Sequence, residues 1–216
     1  VTAGVGNDSL VDTPTNYGSD TGAGGEVRGN YCTWNPVAKN SSLTLSNGNL
    51  KVTQSATYPA AVLGTMAVSS GKWYWEFTSP PVTNWDPEPY YIGFAQLDLF
   101  AFRSSGYMYL DPGVYSYTIR GGYKQIRGVQ SSTGWGSQST GTVMGLALDL
   151  DNGTYKLYAS GTLLGTVDDQ LPAGLWTPLL YVESAAYGSS ADGTNFGQRA
   201  WSYAPPSGYK ALCTQN

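Results

Sequence analysis

At 216 residues with only 12% charged side chains and a formal net charge of −4, the chain has room for one sizeable domain and leaves solubility to Ser, Thr, Asn, Gly and Tyr. That charge offers no general attraction for nucleic-acid phosphates or anionic lipid, and no apolar run approaches the roughly 20 residues of a membrane-spanning helix. Histidine is absent, which removes the commonest general base, the commonest metal ligand and every Ser-His or Cys-His dyad.

Gly and Pro interrupt the chain throughout. The longest stretch free of both, Phe94–Ser105, has 12 residues, so any helix is a turn or two and an all-β fold is expected. Val1 to Gly29 is rich in Gly, Thr and Asp and reads as an extended N-terminal arm or linker. Its Gly22, Gly24 and Gly25 precede no Gly-Lys-Ser/Thr and open no helix, so a phosphate loop is set aside. Leu43–Leu45 and Leu50–Val52 flank Asn47-Gly48 as a first hairpin. Ala60–Val68 reads as a strand leading into Trp73, Trp75 and Phe77, which alternate with polar or tyrosyl neighbours in the period of a strand with a buried face. Ser79–Tyr90 carries four prolines and reads as a rigid exposed loop. Tyr91–Ala95 is a strand, and Ser104–Val114 a second aromatic loop. Tyr115–Val129 is a hairpin turning at Gly121-Gly122. Ser131–Thr142 is a Gly/Ser/Thr loop around Trp135, Leu179–Val182 a strand, and Ala185–Thr194 a polar loop.

The organising stretch is Val143–Val167, with tight-turn signals at Asn152-Gly153 and Ser160-Gly161. Two-residue loops at both would form a three-stranded meander. Leu148 would then face Leu157 and Leu157 face Leu164, with Ala147 against Tyr158 and Asp149 against Lys156 on the other side. Burying the three leucines would contribute roughly 1.5–3 kcal/mol each.

Four ordered segments carry a resemblance. GLALDLDNGTYKLYASGTLLGTV (Gly145–Val167), SGKWYWEF (Ser70–Phe77), YIGFA (Tyr91–Ala95) and NFGQRAWSYAPPSGYKALCTQN (Asn195–Asn216) resemble, in order, motifs of the SPRY domain family. The match runs from about Asn30 to the C-terminus. The flanking phrases DTPTNYGSDTGAGGEVRGNYCTWNP and GYKALCTQN look more like SPRY domains of tailed-bacteriophage virion proteins than eukaryotic ones. The chain departs from the family pattern at Gly141-Thr142 and at Ser160. The resemblance implies a jelly-roll-like, antiparallel two-sheet β-sandwich over residues 30–216, preceded by the arm 1–29. It also implies that the domain's ends lie close together. On that basis Cys32 and Cys213 have two readings: a disulfide, which would contribute roughly 4–5 kcal/mol by closing so long a loop, or two buried thiols, as befits folding in a reducing cytoplasm.

Candidate chemistry is sparse. Asp149 and Asp151 are the nearest carboxylate pair, but one faces a lysine in the expected register and the other starts a turn, so neither is assigned as catalytic. Asp168-Asp169 falls in a loop, and Asp149-x-Asp151-Asn152-Gly153 has its glycine one place too early for a calcium loop. Two cysteines cannot make a four-cysteine metal site. The cations of Tyr117–Gly128 interleave with aromatics as in single-strand binders, yet three cations on an acidic domain read more simply as a hairpin's solvated face. No enzyme activity, cofactor, metal or nucleic-acid partner is expected.

Recognition remains. Loops on a sandwich scaffold carry binding, and exposed aromatics beside small polar residues suit protein or glycan surfaces. The expected site comprises Trp85, Asp86, Tyr107, Tyr109, Trp135, Tyr187 and Asp192, with the four loops gathered at one end as in SPRY domains. For each aromatic the competing reading is a core lid. The resemblance implies a non-enzymatic module of a phage virion, in a tail fibre, receptor-binding protein or capsid-surface fibre, that binds a host-surface protein or another virion protein. A glycan-binding adhesin and a purely structural or trimer-forming fibre domain are the alternatives.

Overall fold

The computed structural model describes residues 29–81, 90–101, 111–185 and 190–216. The arm 1–28, Trp85, Asp86, Tyr107, Tyr109 and Tyr187 lie outside the described residues. Among those described there is no helix, as the density of Gly and Pro requires.

Two sheets face each other across the main core. One has seven strands in the order β1 (Trp34–Lys39), β4 (Ala60–Gly64), β13 (Trp176–Val182), β6 (Tyr90–Gln96), β7 (Val114–Thr118), β8 (Tyr123–Ile126) and β9 (Val129–Ser132). The other runs β12 (Thr162–Asp168), β11 (Thr154–Ala159), β10 (Val143–Asp149), β5 (Lys72–Thr78) and β15 (Thr194–Asn195). Its sixth strand, β16 (Lys210–Ala211), pairs with β5 in parallel, the one departure from antiparallel pairing among the named strands. The first hairpin, β2 (Leu43–Ser46) and β3 (Lys51–Gln54), forms a small separate sheet with β14 (Ser190–Asp192).

Alternation along the strands sorts the core. Trp75 and Phe77 of β5, Ile92 and Phe94 of β6, and Leu146 and Leu148 of β10 point inward and are buried. Edge-on ring contacts between Trp34 and Trp75, at 5.6 Å, and between Trp75 and Phe94, at 6.3 Å, bind the layers. The outer face of the seven-stranded sheet holds a second buried cluster that includes Leu63, Tyr91, Leu179 and Tyr181.

The meander exists, but its first turn is not the expected one. Ser160 and Gly161 both have positive φ (46° and 80°) and Ala159 pairs with Thr162, a two-residue mirror-type turn. At Asn152-Gly153 only the glycine has positive φ (65°), so that turn type is unavailable. Asp149 is the reason. Its Oδ1 accepts from the Asn152 backbone N–H at 3.0 Å and its Oδ2 from the Asn152 amide at 2.8 Å, which closes a four-residue loop and pairs Asp149 with Thr154. Leu148 therefore faces Tyr155, Leu157 faces Leu146, and Ala147 faces Lys156. Asp149 forms its ion pair with Lys72 of β5, at 3.1 Å, and not with Lys156. A bulge in β12 sets Leu157 opposite Gly165. Leu148 and Leu157 are buried while Leu164, on the sheet's edge strand, is half-buried.

The disulfide is not formed. Tyr31 pairs with Cys213, and the Cys32 N–H donates to the Leu212 carbonyl at 2.8 Å. Since successive side chains point to opposite faces, Cys32 and Leu212 both enter the core and Cys213 turns the other way. Burial pushes the Cys32 thiol up to about 11, which makes it unreactive.

Candidate recognition surface

Strand direction decides where each connection emerges. At one end lie Thr78, Tyr90, Thr118, Val143 and Val182, joined by the pairs Thr78–Val143, Tyr90–Val182 and Tyr91–Thr118. At the other lie Lys72, Gln96, Val114, Asp149 and Trp176. The connections β5–β6, β9–β10 and β13–β14 all leave from the Tyr90 end. The β6–β7 connection, which contains the expected Ser104–Val114 loop, leaves from Gln96 and returns at Val114, so its flanks stand at the opposite end of the sandwich. The described flanks of the four loops do not share one end.

At the Tyr90 end the β9–β10 connection is built as a rigid bracket between the sheets. Gln138 N–H donates to the Ile119 carbonyl at 2.8 Å, Ser79 N–H to Thr142 at 2.8 Å, and Gly141 N–H to Ser79 at 2.8 Å. The Ser137 hydroxyl donates to the Arg120 carbonyl, and the Arg120 guanidinium donates to Thr140 Oγ1 at 3.2 Å. The Thr133 hydroxyl caps the Gly122 carbonyl at 2.6 Å, and Tyr117 OH reaches the Gly136 carbonyl at 2.8 Å. Burial raises the Tyr117 hydroxyl above its ordinary range, partly offset by Gln138, so it stays a donor. Tyr90 OH, pushed by burial up to about 12, donates to the Ser190 carbonyl at 3.4 Å and ties β6 to β14.

Two expected site residues fall within the described structure. Trp135 is half-buried against the main core. Its ring lies 5.6 Å from that of Tyr117 and covers Gly165 so closely that a Cβ there would stand 2.4 Å from Trp135 Cζ2. Its position is that of a lid over the edge strand β12, between Gly165 and Tyr117 of β7. Asp192, exposed at the end of β14, accepts from Asn47 Nδ2 at 3.2 Å and pairs with Lys51 at 3.7 Å. It belongs to the small sheet.

The sequence also misplaced the hairpin cations. Lys124 Nζ donates to the Val167 carbonyl at 2.9 Å, while Arg127 reaches the Gln170 carbonyl at 2.6 Å and Asp168 at 3.5 Å. Both tie the β7–β8 hairpin to β12 and the residues just after it, Lys124 half-buried and Arg127 still exposed. The side-chain hydrogen bond from Arg127 to Tyr115, foremost, raises the guanidinium further. Arg120 is the described cation of the β9–β10 bracket, and its approach to Thr140, 20 residues on, leaves no local pattern to read. Among the described residues no three His, Cys, Asp or Glu gather as a metal site.

On the outer face of the six-stranded sheet, Glu76 accepts from the Ser202 and Tyr203 N–H groups at 2.9 and 3.0 Å, and Trp201 stacks edge-on against Tyr74 at 5.1 Å. The tail is thereby stapled down, and the Tyr90 end is left to the loops.

No protein-family model matches the sequence, and no curated protein matches it. Solved structures do match in three dimensions. The SPRY domain of human HERC1 aligns with a TM-score of 0.61 at 16% identity, covering 74% of this chain and 95% of that one. The TRIM65 PSpry domain aligns at 0.59 and 15% identity, covering 77% and 92%. Stonustoxin aligns at 0.54 and 18% identity over 71% of this chain and 27% of its own. At such identities the likeness speaks for the fold alone, and that fold is the SPRY β-sandwich.

Proposed function

We propose that the chain is a non-enzymatic recognition module whose partner docks at the Tyr90 end of the sandwich. The observation that carries this reading is the bracketed β9–β10 connection, held between both sheets where β5–β6 and β13–β14 also leave. A rigid bracket beside aromatic-bearing connections is an economical binding surface, because little side-chain and loop freedom is lost on docking. The partner is a protein, as the SPRY resemblance implies. The phage-like flanking phrases support a virion setting, with a host-surface protein or another virion protein as the partner.

The test is binding of the domain to intact host cells, to isolated virion proteins and to a glycan array, with Trp85→Ala and Arg120→Glu variants alongside. Truncation of a central aromatic anchor costs about 2 kcal/mol or more of binding energy, so Trp85→Ala should weaken binding by at least about tenfold at unchanged melting temperature. Protein binding that survives both substitutions would move the site elsewhere. Capture by glycans in place of protein would make the module an adhesin.

A further inference from the structure

The opposite end of the sandwich carries a surface of different character. Leu99 and Leu175 are 48% and 44% exposed there. They are held in place by the backbone: Leu97 N–H donates to the Leu175 carbonyl at 2.8 Å, and Leu175 N–H reaches Asp98 Oδ2 at 3.5 Å. Two aliphatic side chains on a fixed frame keep their apolar area in water at a cost, and burying it on a partner would recover it.

Charge around the pair is one-sided. Asp98, Asp149, Asp151, Asp168 and Asp169 lie at this end, against Lys72, Arg127 and Lys210 among the described residues. Lys72 is engaged with Asp149 and Arg127 with Asp168, and Lys210 lies across β5, on the side of that strand away from β10. Asp98, Asp151 and Asp169 are exposed and carry no ion pair among the described residues.

A third observation concerns Gln96. Its side chain is buried, its Nε2 donates to the Ala173 carbonyl at 3.0 Å, and its Oε1 has no hydrogen-bond partner among the described residues. The amide sits under Gly174, where a Cβ would stand 2.6 Å from Gln96 Nε2 and 2.8 Å from Asp98 Oδ2. Only glycine fits there, and it lets the backbone pack directly on the amide and on the Asp98 carboxylate. An orphaned buried acceptor is uncommon enough to need a cause.

We infer that this end docks a basic protein segment bearing an aliphatic side chain. The aliphatic group covers Leu99 and Leu175, and the partner's basic side chains pair with the exposed carboxylates Asp98 and Asp169. The charges set encounter rate and register while the leucines supply the apolar burial. The surface is separate from the Tyr90 end, so a domain engaged at both ends would bridge two partners.

The probe is the labelled peptide GRLPRLG, with GELPELG as its acidic counterpart, titrated into the full chain and followed by fluorescence polarisation and by amide resonances. The basic peptide should bind, weaken as salt is raised, and shift the resonances of Asp98, Leu99, Gly174 and Leu175. Leu175→Ser, and separately Asp98→Asn with Asp169→Asn, should each weaken it by about tenfold or more, roughly 1.4 kcal/mol, with the fold checked by thermal unfolding. Equal binding of the acidic peptide, failure of the basic one to bind, wild-type affinity in both variants, or shifts centred on Arg120 and Gln138 would each overturn the inference. So would self-association of the chain through Leu175.

Discussion

Tyr155 offers the sharpest test of the core's energetics. It lies wholly inside the sandwich, its ring edge-on to Phe94 at 5.2 Å, and its hydroxyl has no hydrogen-bond partner among the described residues. Placing an unpaired hydroxyl there costs about 1–3 kcal/mol in desolvation. Tyr155→Phe removes the oxygen and keeps the ring, so the variant should be more stable by about 1 kcal/mol, a rise of about 2–4 °C in Tm for a chain of this size. The gain should widen in alkali. Burial holds the folded-state hydroxyl well above its ordinary value, so only the unfolded chain ionises near pH 10. A group raised on folding contributes stability fully present below the unfolded value and lost as pH climbs past it. Wild type therefore loses roughly 1.4 kcal/mol per pH unit above 10 through this residue, and the variant does not. Denaturant unfolding at neutral pH and at two alkaline pH values measures both effects. A variant that is less stable at neutral pH would show that the hydroxyl is hydrogen-bonded, an advantage constant with pH would show that it ionises in the folded state, and either would refute the reasoning.

Gly165→Ala should drive its new methyl into Trp135, displace the lid and cost about 1–3 kcal/mol, seen as a red shift of tryptophan emission together with a lower Tm. Trp135→Ala should lower Tm as well, with binding per folded molecule little changed; a binding loss without destabilisation would return Trp135 to the recognition surface. Glu76→Gln weakens the staple on Ser202 and Tyr203, where hydrogen bonds to a charged group contribute about 1.5–3 kcal/mol, and hydrogen exchange at those two amides should accelerate first. For Asp149, burial alone would raise the carboxyl, but hydrogen bonds from Asn152 and Lys72 together hold it below its ordinary range. Its contribution is therefore present above the unfolded value of 3.8 and lost as pH falls through it. Asp149→Asn should flatten the acid limb of the stability curve, and an unchanged limb would assign acid sensitivity to other groups.

Much of the fold was legible because it is written in local periodicity. Trp75 and Phe77 alternate with Tyr74 and Glu76, and the mirror-type turn at Ser160-Gly161 follows from two adjacent residues able to adopt positive φ. The turn at Asn152-Gly153 carried the same signal and misled, since a side chain three residues earlier captured the Asn152 amide and lengthened the loop. Which end each loop reaches depends on strand direction within the finished sheets, and nothing near Ser104–Val114 records that β6, entered from Ser79–Tyr90 at one end, is left at the other. Trp135 looked exposed because its partner is a glycine, Gly165, whose value is the space it leaves. The partners of Lys124 and Arg127 went unseen because their carbonyl acceptors, on β12 and just beyond it, lie 43 residues further along.

The position of β13 has a consequence for synthesis. It lies between β4 and β6, although its residues follow theirs by 80 positions or more. While a ribosome is making the first two-thirds of the chain, β4 and β6 each keep one hydrogen-bonding edge unfilled, both bearing apolar residues. The Cys32 amide waits longer still, for the carbonyl of Leu212. Long-range pairing of this kind is slow and exposes sticky edges meanwhile. The nascent domain therefore cannot complete its larger sheet strand by strand, and a polypeptide stopped short of Val182 should recruit chaperones or aggregate instead of forming a smaller sandwich.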